Sequence, residues 1–153
     1  MFKKLYDDIV SRISAEDIAA DRRDAAIRLA TAVLMVDVAV IDDTFDETEF
    51  DRMVTLVRDH FGLSTEDAAE LINAANARSD ELVSVRQLTT FLHDQLSQDE
   101  KARVIKLLWS IAYADGQLDK YENSLVLKLS ELLDVGRESV ARLKHDAAAA
   151  AAV

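Results

Sequence analysis

Seven carboxylates, arranged in two matching runs, are the side chains of this sequence best placed to bind a cation. Asp42-Asp43-Thr44-Phe45-Asp46-Glu47-Thr48-Glu49 recurs 73 residues later as Asp115-Gly116-Gln117-Leu118-Asp119-Lys120-Tyr121-Glu122. The shared pattern is Asp, then an apolar residue before a second Asp, then Glu three positions on. Asp42, Asp43, Asp46 and Glu49 form one candidate ligand set, and Asp115, Asp119 and Glu122 the other. All the donors are oxygens, which suits a hard cation such as Ca2+ or Mg2+.

The second run matches the later half of an EF-hand calcium loop, from its fifth position to its twelfth. An EF-hand also needs side-chain ligands at its first and third positions. Those positions fall on Ile111 and Tyr113 here, and on Val38 and Val40 in the first run. A normal EF-hand is therefore excluded. What remains is an open site of two or three carboxylates, helix-end carbonyls and water.

Part of the pattern has a simpler explanation. Asp46 with Glu49, and Asp119 with Glu122, have the spacing of an N-cap and a third helical residue, a cap that stabilises a helix by about 1 kcal/mol. Asp42 and Asp115 do not fit that role. Each follows an apolar helical segment, at the end where unpaired carbonyls concentrate negative charge, so a local N–H donor or a cation must offset the repulsion. A third reading makes the acidic face a docking surface for a basic partner.

The elements that position these turns are helical throughout. The 153 residues contain no Pro, no Cys and three Gly, with Ala, Leu and charged helix formers dominant. Phe2, Leu5, Ile9 and Ile13 mark a short amphipathic N-terminal helix, and residues 25–41 are apolar on nearly every face, as in a buried central helix. A helix from Asp46 to near Phe61 should close at Gly62, and Ser64 opens another that runs to about Ala77. Leu82 to Leu96 follows. Ser97 and Glu100 then form a capping box at the start of the second buried helix, which runs to the Asp115-Gly116 turn.

Beyond that turn the first half repeats. Leu125, Val126 and Leu129 fall opposite Arg52, Met53 and Leu56, and after a one-residue deletion Val135 to Glu138 falls opposite Leu63 to Glu66. The expected fold is an all-α compact bundle of seven or eight helices built from two similar helix-turn-helix halves. We divide the chain into an N-terminal helix and connection (1–24), the repeated domain (25–146) and an alanine-rich tail (147–153).

The stretch Leu107-Leu-Trp-Ser-Ile-Ala-Tyr-Ala-Asp-Gly-Gln-Leu-Asp-Lys-Tyr-Glu122 resembles the second signature of the tellurite-resistance TerB family. Its members carry an Ala-Asp-Gly-x-hydrophobic-Asp-x-x-Glu turn in each half of a helical domain. The likeness extends over roughly residues 25 to 145. A similar helical domain precedes the J-domain of a membrane-anchored DnaJ-like co-chaperone. The resemblance implies an all-helical fold, no established enzymatic reaction, a role in stress response or multiprotein complexes, and acidic clusters that bind divalent cations. The first run departs from the signature, with Ile41-Asp42-Asp43 in place of Ala-Asp-Gly. If that position needs a positive φ, Asp is tolerated less well than Gly.

Other chemistry is set aside. The formal charge of −11 repels nucleic-acid phosphates, so nucleic acid is not an expected partner. The longest uncharged apolar run, Leu29 to Val36, is far short of the roughly 18 residues a membrane span requires. Membrane association would have to come through a partner. The N-terminus lacks a signal-peptide pattern, and a cytoplasmic protein is expected. His60, His93 and His145 are too dispersed for a zinc motif, and no phosphate loop or nucleophile elbow is present. Trp109 reads as a core anchor, and Phe45 and Leu118 as plugs at the ends of the helical hairpins. The leading expectation is a non-catalytic, cation-binding or scaffold domain with protein partners. Its alternative is a protein-interaction or co-chaperone regulatory module whose acidic turns are purely structural.

Overall fold

The computed structural model describes residues 22–40, 47–78, 85–113 and 120–151. These residues form seven helices and, among them, no strand: α1 (Arg23–Val40), α2 (Glu47–Phe61), α3 (Thr65–Arg78), α4 (Val85–Gln95), α5 (Gln98–Ala112), α6 (Lys120–Leu132) and α7 (Arg137–Ala151). The all-α bundle expected from composition and periodicity is what forms. The proposed helix over residues 2–13 lies outside the described residues. No described helix is long and apolar enough to cross a membrane.

Two apolar helices occupy the centre, as their sequences require. α1 is buried on nearly every face, from Ala25 to Ala39, with only Arg28 and Asp37 half-exposed within that stretch. α5 buries Val104, Ile105, Leu107, Leu108, Trp109, Ile111 and Ala112 and packs directly against α1. At the 73-residue offset Leu34 matches Leu107, Met35 matches Leu108 and Val38 matches Ile111, and all six are buried. In both halves the repeated register places the same helix face in the core.

The duplication extends to backbone detail. α2 closes with Gly62 at φ +67°, and its counterpart 72 residues on, Asp134, is the one described non-glycine residue with a positive φ, at 61°. Leu63 N–H donates to the Arg58 carbonyl at 2.9 Å, and Val135 N–H to the Ser130 carbonyl at 3.0 Å. These are the 6→1 bonds of a left-handed helix closure. Ala68 to Ser64 and Val140 to Gly136 then open the next helix in the same way. The one-residue deletion inferred from sequence therefore lies before this turn, because its 6→1 closing bond and the bond that opens the next helix both recur at offset 72.

The start of α5 is the predicted capping box. Ser97 Oγ accepts from Glu100 N–H at 3.2 Å, and Glu100 Oε1 accepts from Ser97 N–H at 2.9 Å. Donation from the Ser97 backbone N–H, with a smaller contribution from the Ser97 side chain, holds the Glu100 carboxyl below its ordinary pKa. The stabilisation is present at neutral pH and lost as acid protonates Glu100 through that lowered value. Ser97→Ala should cost about 1 kcal/mol in urea unfolding, and the loss from Glu100→Gln, which removes the carboxylate that the Ser97 N–H donates to, should shrink toward acid pH. An equal loss at all pH values would show that the carboxylate takes no part.

The alanine-rich C-terminus continues α7 to Ala151, and Ala147 is buried opposite its repeat partner Ala75.

Candidate functional site: the acidic turns and their helices

Five of the seven candidate ligands, Asp42, Asp43, Asp46, Asp115 and Asp119, lie outside the described residues, as do Phe45 and Leu118. The two that are described, Glu49 and Glu122, occupy the same place in their helices. α2 begins at Glu47 and α6 at Lys120, so each glutamate is the third helical residue. That is the position the capping-box spacing requires, and it sets each carboxylate beside the positive end of a helix.

Their surroundings differ from those of a solvated turn. Glu122 is only 8% exposed, and one carboxylate oxygen of the half-buried Glu49 is shielded from solvent. Both carboxylates have hydrogen-bonding or electrostatic partners. An ionised carboxylate withdrawn from water needs such compensation, whether from donors, cationic side chains or a metal. α6, which carries Glu122, packs against the buried α5.

The positions an EF-hand would need are unsuited to side-chain coordination. Val38 and Ile111 are buried in the core, and Val40 and Tyr113 pack partly against it. Among the described residues no three His, Asp or Glu side chains come together to hold a metal. A cation at either turn would therefore draw on the turn aspartates together with Glu49 or Glu122. These all-oxygen donors fit Ca2+ or Mg2+ in chemistry.

The histidines have separate roles. His60 packs edge-on against Phe61 at 4.6 Å, and burial, helped by the nearby positive charge of Arg103, lowers its pKa below the ordinary 6.5. His93 meets Lys101, whose Nζ lies 2.7 Å from His93 Nδ1. Trp109 is the core anchor expected, fully buried and stacked at a tilt against Tyr113. The Lys144 ammonium lies over its ring at 5.2 Å.

Comparison with curated proteins and with solved structures yields no match. The family described as tellurite resistance protein TerB, however, matches residues 28–145. The match spans both halves of the repeat, from α1 into α7, and so covers both acidic turns and the helices that carry them. By the match of its sequence across both halves of the repeat, the chain belongs to the TerB family.

Proposed function

We propose that this chain is a non-catalytic TerB-family domain that binds Ca2+ or Mg2+ through one or both acidic turns and works with protein partners in cytoplasmic stress-response assemblies. The observation that carries the reading is the burial of Glu122 at the head of α6, with Glu49 in the equivalent place at the head of α2. A buried carboxylate at the head of a helix, with Asp115 and Asp119 shortly before it in the sequence, calls for a compensating positive charge, and a divalent cation would supply one. The flanking acidic surface would also favour basic protein partners.

Calorimetric titration of the chelator-treated protein with Ca2+ and Mg2+ is the direct test. Saturable binding is expected, abolished by Asp115→Asn, while the apo variant is at least as stable as wild type because a charge has left a helix C-terminus. No saturable binding below about millimolar concentration, the weak end for such sites, would support the second reading, an interaction or co-chaperone regulatory module with structural turns. An Asp115→Asn protein destabilised without metal would make Asp115 a turn-forming residue.

A further inference from the structure

The two halves share a chain path but differ in one packing relation. In the first, α2 lies along α3; in the second, the corresponding helices α6 and α7 scarcely touch. α6 instead packs against α5, α4 and α1, while α7 stays on α5. A groove of about 610 Å³ opens between them, with Leu127, Val135 and Val140 among its lining.

Three observations show that this groove is more than loose packing. Leu127 is 44% exposed, whereas Val54, its counterpart in α2, is 6% exposed. Tyr121 and Leu127 are the exposed large apolar side chains among the described residues, and both lie on α6. The groove is also cationic: Lys128, Arg137 and Lys144 line it with a single carboxylate, Glu131. In the first half the three cations correspond to Thr55, Thr65 and Ile72.

We propose that the α6–α7 groove is a docking site for an amphipathic helix of a partner protein, with apolar residues along one face and carboxylates beside them. In the sister half the corresponding helices pack directly against each other; here Leu127, Val135 and Val140 line the space between them instead, so the occupant must offer an apolar face of its own. Charge supplies its chemistry. The chain as a whole is acidic, but its net field is screened beyond roughly 8–10 Å, so the local excess of cations governs what can settle in the groove. An apolar face inserted between two helices, with carboxylates reaching the rim, is the established helix-in-groove mode of recognition. The proposal is independent of any cation at the acidic turns.

Trp109 provides the readout. Lys144 lines the groove, donates to Asn123 Oδ1 at 2.8 Å and lies over the ring of the chain's single Trp. The probe is a labelled synthetic peptide of roughly 16 residues, with Leu at i, i+3, i+4 and i+7 repeats and Glu between them. Saturable binding to the full chain, followed by anisotropy and by a shift in Trp109 emission, is expected. Leu127→Asp combined with Lys128→Glu should weaken it by about tenfold or more, with helix content unchanged because both side chains are exposed. Thr55→Glu, at the position matching Lys128 in the first half, should leave it unaltered. The following results would each overturn the proposal: no binding; equal binding of a peptide with Lys in place of Glu; or retention by the double variant. Concentration-dependent self-association through Leu127 without peptide binding would do so in favour of a second copy. Nuclear Overhauser contacts from Phe2 to Ile13 onto Leu127 would do so in favour of the chain's own N-terminal segment.

Discussion

Trp109→Ala should destabilise the fold by about 3–5 kcal/mol, the range for removing a large aromatic from a packed core. Trp109 is fully buried on α5, the helix that packs against both α1 and α7. Its loss opens a cavity at a point where both halves converge, and collapse into that space is hindered because α1 and α7 are each anchored elsewhere along α5. The repeat partner of Trp109 is Val36, so the second half fills with indole a site that the first half fills with two methyl groups. The ring also carries Lys144, whose ammonium loses its aromatic face in the variant. Trp109→Phe should cost much less. It keeps most of the volume and removes an indole N–H that is buried with no hydrogen-bond partner among the described residues. Because the only Trp is gone in both variants, unfolding must be followed by far-UV circular dichroism. A loss below about 1 kcal/mol in Trp109→Ala would place it with ordinary surface substitutions and show that the α5 junction repacks freely.

The helical plan was legible wherever a local rule acted alone. Dense apolar sequence marked α1, Ser97 with Glu100 marked the start of α5, and Gly62 marked the end of α2. The repeat was also legible, because equal spacing of apolar residues produces equal burial: Met53 and Val126 are both buried, as are Ala68 and Val140. Asp134 was less obvious. Asp adopts the left-handed conformation less readily than Gly, and only its alignment with Gly62 marks the position.

Tertiary effects were not legible. Leu127 and Val54 occupy the same place in the repeat, yet one is exposed and the other buried, because α6 follows α4 while α2 follows α3. No pattern within either helix encodes that choice. The burial of Glu122 has the same origin. Spacing placed Glu49 and Glu122 third in their helices, but how deeply each sits depends on neighbours far away in sequence.

Lys101 is the case in which sequence rules mislead most, and removing its partner should have the second large effect. A lysine in the opening turns of a helix reads as a solvated charge in an unfavourable position, near the positive end of the dipole. Here it is 3% exposed. Its ammonium donates to His93 Nδ1 at 2.7 Å, which requires the ring proton to be on Nε2. The Leu133 carbonyl, 3.4 Å from the same nitrogen, then faces an atom with no proton to give and is not its partner. The cluster lies where α4, α5 and the end of α6 meet. The pair therefore ties α4 to α5 beside the end of α6. His93→Leu would cover the ammonium with methyl groups and leave it without this acceptor, at an expected cost of about 3 kcal/mol. Lys101→Met removes the charge but keeps the stem, and should be close to neutral. In the double variant the cost of His93→Leu should largely disappear, a coupling that a double-mutant cycle in urea unfolding reads directly. If the two changes add independently, the 2.7 Å contact does not carry the stability assigned to it. Strong coupling would establish that a buried lysine, at the repeat position where the first half has Arg28, ties α4 to α5 through a single imidazole acceptor.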